Sequence, residues 1–283
     1  MPVDVIETFQ QQTIQHGKYN DRIYLMKFCP DGMENLASKL IELGRQKSYS
    51  KIFTKLPERF AGDFLKAGFV CEASIPRFFN GHQKACFLSY YLDADRCKPA
   101  TSEINKKVMA ICSEKQRNPV IPRHLLEGMT LRICKPDDAD KMADLYRDVF
   151  ASYPFPIDDP AYIRRTMATH VVYFGVWQKD RLIALSSAEM DIEMSNVEMT
   201  DFATAPASLD NGLAMLLLTQ MEREMRKWKI STAYTIARAA SFGMNITFAK
   251  MGYTFCGRLI KNTQIAGRFE DMNVWYKTLD ELK

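Results

Sequence analysis

The sequence has no apolar run long enough to enter a membrane. Its longest, LAMLLL at residues 213–218, falls far short of the roughly 20 residues that a spanning helix needs. The start, MPVDVIETFQQQ, lacks the basic opening and apolar stretch of a signal peptide. A soluble, cytoplasmic protein with no membrane partner is the expectation. Net charge is scarce as well: 38 − 34 = +4. Residues 98–123 alone carry six basic side chains against Glu103 and Glu114, so the rest of the chain is neutral. Without a basic face to track phosphates, nucleic-acid binding is not expected. The seven cysteines (Cys29, Cys71, Cys86, Cys97, Cys112, Cys134, Cys256) form no CxxC pair and leave an odd count, which suits free thiols in a reducing compartment. His16, His82, His124 and His170 make no HxH or HExxH, and GxSxG is absent, so metal, serine and cysteine chemistries lack support and no metal is expected.

What is present suffices for two domains: 283 residues, 47% of them hydrophobic. RIYLMKF reads as a strand, followed by a helix through Leu36, Leu40 and Ile41, the strand KIFTK, a helix from PERF, and the strands GFVCEAS and KACFLSYYL around Asn80-Gly81. A basic helix over 101–116 leads into NPVIPRH, where prolines stop regular structure. The boundaries drawn are an amino-terminal unit at 1–97, a helical linker at 98–128 and a second unit at 129–283. The second unit predicts strand, helix, helix, three strands, a long helix over 211–228, strand, helix and two strands. The halves repeat: FLKAGF at 64–69 matches FAKMGY at 248–253 (248 − 64 = 184), and both close a helix at glycine before a strand. The first unit, taken from residue 22, reads as the second half of the later unit without its front.

The most informative stretch is TDFATAPASLDNGLAMLLL, a strand ending at proline and then Gly212 and Ala214 at the mouth of the long helix. Helix-start amides lack intrahelical partners and face an anion well. Phosphate binding and an ordinary capped core helix both fit this spacing, whereas the loop has no GK[ST] and no GxGxxG.

The element order and the KMGY helix ending together resemble the GNAT superfamily of acyl-CoA-dependent N-acetyltransferases. The resemblance implies an α+β fold, a three-layer mixed sheet flanked by helices, preceded here by a degenerate half-GNAT-like β-α-β-α-β-β unit. The family's Gln/Arg-x-x-Gly-x-Gly/Ala cradle aligns with residues 209–214, matching at Gly212 and Ala214 but not at Leu209. It implies acetyl-CoA as cosubstrate, its pyrophosphate on the amides of Asn211, Gly212, Leu213, Ala214 and Met215, and its pantetheine arm along Phe202, Ala203 and Thr204. The whole chain is similar to a narrower group, the β-lysine N-acetyltransferases, through ASIPRFFNG, YPFPIDDPAY, SSAEMD, EMTDFAT, GMNITF and EDMNVWYK. That group implies acetylation of the ε-amine of β-lysine to make a compatible solute.

An alkylammonium of pKa about 10.4 must lose a proton before it attacks a thioester. Glu198 is the first choice of base, by its register on the strand. Asp201 is the alternative base or a substrate anchor, and alternation would put Glu198, Thr200 and Phe202 on one face with Asp201 on the other. The family's general-acid tyrosine is Phe248 here and its asparagine is Ser241, so no acid is named, and Asn245 is the candidate for the lost CoA contact. Glu189 and Asp191 are candidates for the substrate's spare ammonium, Arg77 and Asn80 for its carboxylate, and Tyr153 and Phe155 for the substrate wall. A small-molecule amine is the expected partner and a homodimer the expected assembly. Acetylation of another small amine or diamino acid, and a non-catalytic acyl-CoA-binding module, stay open at this point.

Overall fold

A computed structural model describes residues 4–117, 124–209 and 211–279. The amino-terminal half runs β1 (Val5–Phe9), β2 (Gln12–Gly17), β3 (Arg22–Lys27), α1 (Leu36–Gln46), β4 (Lys51–Pro57), α2 (Ala61–Lys66), β5 (Val70–Phe79) and β6 (Gln83–Tyr91). Helix α3 (Ser102–Gln116) follows. The second half runs β7 (Met129–Ile133), α4 (Ala139–Val149), α5 (Pro160–Met167), β8 (Val171–Gln178), β9 (Arg181–Asp191), β10 (Asn196–Thr204), α6 (Leu213–Lys227), β11 (Thr232–Arg238), α7 (Phe242–Lys250), β12 (Thr254–Ile265) and β13 (Arg268–Thr278). All thirteen strands join one mixed sheet in the order β1-β2-β3-β4-β6-β5-β12-β13-β11-β10-β9-β8-β7, with helices against it. This is the expected α+β architecture. Helix α6 forms because Leu213, Leu217, Leu218, Met221 and Met225 fall on one buried stripe.

The repeat is deeper than the sequence match. A one-residue slip interrupts β5 between Cys71 and Ala73, and a two-residue slip between Ile75 and Phe79. The same slips interrupt β12 between Phe255 and Gly257 and between Leu259 and Thr263, each displaced by 184 (255 − 71, 263 − 79). The halves meet where the equivalent residues Ala73 and Gly257 pair antiparallel, as a local two-fold relation requires. Only glycine fits there: its φ is +148°, and a Cβ would lie 2.2 Å from the Glu72 carbonyl oxygen. The buried Lys51 locks the join, donating to Glu72 at 3.1 Å and to the Ile260 carbonyl at 2.6 Å.

Two expectations change. Residues 5–17 form the hairpin β1-β2 beside β3, so the first half keeps two front strands and lacks only counterparts of β7, α4 and α5. The segment read as a linker carries α3, whose Val108 and Cys112 are fully buried in one core with Phe248, Ala249 and Tyr253. Residues 118–123, with the prolines expected to end it, lie outside the described residues.

Candidate active site

Strands β10 and β11 run parallel and pair only over Asn196, Val197 and Glu198, opposite Thr232, Ala233 and Tyr234. Beyond that they part, and a slot of about 380 Å³ opens between Thr200, Asp201 and Phe202 on one side and Thr235 to Arg238 on the other, with Tyr153, Met244 and Phe248 around it. Phe202 meets Phe248 edge-on at 5.7 Å. On its other edge β10 stays paired with β9, Ala203 to Leu185 and Thr204 to Ala184, while Phe202, Ala203 and Thr204 have no β11 partner in the ladder.

A bulge sits at the point of divergence. From Thr200 to Ala203 β10 advances three positions while β9 advances two, and Asp201 takes φ +54°. Strict alternation therefore fails. Val197, Met199 and Phe202 pack toward α6, whereas Ala203 packs with Ala139 and Met142 of α4. The expected grouping of Phe202 with Glu198, and of Asp201 on the opposite face, is overturned: the bulge brings Asp201 round to the Glu198 side. There its carboxylate accepts from Ser187 Oγ at 2.5 Å and from Tyr153 Oη. Burial raises the Asp201 carboxyl, and the hydroxyls of Ser187, Tyr153 and Thr200 oppose that rise.

Glu198 stands directly opposite Glu189 of β9 and Tyr234 of β11. Three carboxylates thus share one face. Burial, with the charges of Asp201 and Glu198, pushes Glu189 up to about 8, while Lys55 pulls it back. Burial also raises Glu198, against Lys55 and the Tyr234 hydroxyl. Counting rungs from the equivalent Ile75 and Leu259, through Ala85 and Met272 to Pro57 and Arg238 and four residues back, gives Phe53 and Tyr234. Their neighbours are Tyr24 with Gln15 in the first half and Glu198 with Glu189 in the second. The first half therefore holds no carboxylate pair at the corresponding place.

Glu198 and Glu189 open into a cleft of about 650 Å³ between the halves, with Tyr24, Lys55, Phe78 and Asn80 on its far wall. Asn80 is tied across it, its backbone N–H donating to the Met194 carbonyl at 2.7 Å. Asp191 lines the cleft too, and one oxygen accepts from the Met194 amide at 3.1 Å. Arg77 does not line it: its Nε donates to Gly81 O at 2.7 Å, and its carbonyl accepts from Thr232. Tyr153 faces the slot, not the cleft. Phe155 lines neither and packs against the α4–α5 core, so as a substrate wall it is corrected to plain packing.

At the start of α6, Gly212 takes φ +70°, no side chain caps the helix, and no atom lies within 4 Å of where a Cβ would stand. The Leu213 and Ala214 amides lead that open end. The Met215 amide instead bonds the Gly212 carbonyl at 3.1 Å, and the Asn211 side chain bonds Ser208 O at 3.2 Å. Asn245 is also corrected. It is fully buried, its Nδ2 donates to the carbonyls of Arg238 and Ser241, and its Oδ1 accepts from Asn273 and Trp275. No hydrogen-bonding capacity remains for a ligand.

Lys55, Tyr24, Tyr234 and Ser187 were missed by sequence reasoning. Only strand register brings them to the carboxylates, and the single signal available was a lysine alternating inward in KIFTK.

No family model matches the chain. It is 40% identical over 265 residues to the beta-lysine N(6)-acetyltransferase of Methanococcus maripaludis, covering 93% of this chain and 95% of that protein. It is 32% identical over 266 residues to the enzyme of the same name from Methanosarcina mazei, covering 87% and 97%. It is 31% identical over 269 residues to the N-acetyltransferase YodP of Bacillus subtilis, covering 94% and 95%. Among solved structures, the ribosomal-protein-S18-alanine N-acetyltransferase of Escherichia coli aligns at 13% identity and TM-score 0.48, over 55% of this chain and 96% of that one. Aligned with N-acetyltransferases along nearly their whole lengths, the chain belongs to the β-lysine N(6)-acetyltransferase family.

Proposed function

We propose that the protein moves the acetyl group of acetyl-CoA onto the ε-amine of β-lysine. The observation that carries this reading is the convergence of Glu198, Glu189 and Asp201 on one sheet face, between the cleft and the slot of the parted strands. The names of two relatives support the choice of amine.

The residues present fit acetyl-CoA. The open, uncapped start of α6 suits a pyrophosphate on the amides of Asn211, Gly212, Leu213 and Ala214, and the free β10 edge at Phe202, Ala203 and Thr204 suits an added strand-like arm. When bound, acetyl-CoA supplies the activated thioester. Glu198 takes the proton of the incoming ammonium at its carboxylate; a half-buried, raised carboxylate is a stronger base near neutral pH than an exposed one. Asp201, held by Ser187 and Tyr153, is spent on fixing Tyr153 at the slot, which favours Glu198 as base. Glu189 and Asp191 face the second ammonium, and Asn80 reaches the cleft from the first half. We place the boundaries at 1–97, 98–128 and 129–283, with the second unit catalytic. The product is read as a compatible solute made in the cytoplasm, and the assembly as a homodimer.

The test is consumption of acetyl-CoA by the full chain with β-lysine, α-lysine and a polyamine side by side. The proposal expects the highest kcat/KM with β-lysine. A preference for another amine would reassign the substrate, and no CoA release with any amine would leave an acyl-CoA-binding module.

A further inference from the structure

Lys55 projects from β4 of the amino-terminal half into the cleft that Glu189 and Glu198 line from the other half. Its Nζ donates to the Tyr234 hydroxyl oxygen at 2.7 Å and lies over the Tyr234 and Phe78 rings at 4.9 and 5.5 Å. Tyr234 is directly opposite Glu198 in the short parallel ladder. A phenol whose oxygen accepts from an ammonium has its own proton left to give, and the acceptor beside it is the Glu198 carboxylate. Lys55 and Tyr234 thus form a chain of donors directed at the Glu198 carboxylate, the first link crossing between halves 179 residues apart.

The other titratable groups facing Glu198 are Glu189 from β9, Asp201 from β10 and Tyr24 from β3, with His170 and Asp191 further along the cleft. Three carboxylates so close cannot all ionise together. Lys27, Arg59 and Lys55 also line the cleft; Lys55 is bonded to Tyr234, and its charge acts on Glu198.

We propose that Lys55 is a positioning residue for acetyl transfer: its ammonium holds the Tyr234 hydroxyl on Glu198 and makes Glu198, of the facing pair Glu198 and Glu189, the one that stands ionised to receive the substrate's proton. The inference rests on the reading of Glu198 as the base. It gives the first half a part in the chemistry without a second catalytic centre, consistent with Tyr24 and Gln15 standing where the other half has its glutamates.

The test uses the full-length protein with Lys55→Met, Lys55→Arg, Tyr234→Phe and Glu198→Gln. Three quantities are read: kcat/KM for the amine against pH, acetyl-CoA affinity by titration calorimetry, and the infrared band of protonated carboxyl groups against pH. Lys55→Met is expected to move the acidic limb of the pH profile upward by about 1 to 2 units, a loss of roughly 10- to 100-fold at a fixed pH on that limb. Acetyl-CoA affinity stays at the parental value. Lys55→Arg restores the limb, and Tyr234→Phe moves it the same way by less. The carboxyl band that Glu198→Gln removes persists to higher pH in Lys55→Met. An unmoved limb and band would overturn the proposal, as would a raised KM for the amine with an unmoved limb, which would instead make Lys55 a receptor for the substrate's carboxylate. If Lys55→Met does not fold, Tyr234→Phe decides by the same two readouts. Parental turnover in Glu198→Gln would refute the base assignment separately, and the infrared titration would still judge the coupling of Lys55 to Glu198.

Discussion

Replacing Glu189 by Gln is expected to stabilise the folded protein near neutral pH and to do so more as pH rises. Burial and two neighbouring carboxylates hold Glu189 at about 8, against an ordinary 4.5. Below 4.5 the group is protonated whether the chain is folded or unfolded. Above it the unfolded chain ionises while the folded protein keeps its proton, so the stability present below 4.5 is lost progressively until the pH passes about 8. Each pH unit in that window is worth about 1.4 kcal/mol, which sets a ceiling of roughly 3 kcal/mol at pH 7. Because Glu198 and Asp201 share the same field and Lys55 offsets part of it, about 1 to 3 kcal/mol is the working expectation. Glutamine keeps the size and the polar atoms and removes the titration. Urea unfolding of parent and variant at a series of pH values measures the gap. It should widen from acid to neutral pH in favour of the variant. A gap that does not change with pH, or a parent that gains on the variant as pH rises, would refute the buried carboxylate cluster.

Gly212→Asp combines a side chain at φ +70°, costing about 1–2 kcal/mol, with a carboxylate at the uncapped start of α6. Titration calorimetry should show acetyl-CoA binding at least ~10-fold weaker with far-ultraviolet dichroism unchanged, and equal affinity would remove the cradle. Asn80→Ala should raise the Michaelis constant for the amine and leave that for acetyl-CoA alone, because it removes a side chain that lines the cleft and keeps the backbone bond to Met194. Arg77→Ala should leave both constants at the parental value, and the opposite pattern would show that the cleft is drawn wrongly.

Much of the fold was legible because single elements carry their own signal. The stripe from Leu213 to Met225 names α6, Asn80-Gly81 and Lys179-Asp180 name hairpins, and the repeated helix endings reveal the two halves. Strand β1 was not legible, since a sheet-edge strand whose residues are almost all exposed shows no alternation of buried and exposed side chains. The site was legible only in part. Glu198 and Glu189 follow from strand positions, but the face of Asp201 depends on one extra residue in β10, and a one-residue slip reverses every side chain after it. Asn245 looked available because its spacing says nothing of the four hydrogen bonds that consume its amide. Lys55 and Tyr234 belong to different halves, which join where Ala73 pairs with Gly257, and no local pattern encodes a contact 179 residues apart.

The most direct test of the account is turnover of β-lysine and acetyl-CoA by Glu198→Gln and Asp201→Asn beside the parent, with acetyl-CoA affinity measured on the same samples. Loss of a general base predicts a fall in kcat of on the order of 10²–10⁴ for Glu198→Gln, with acetyl-CoA affinity unchanged. Parental turnover in Glu198→Gln together with loss in Asp201→Asn would contradict the account and move the base to the residue at the bulge.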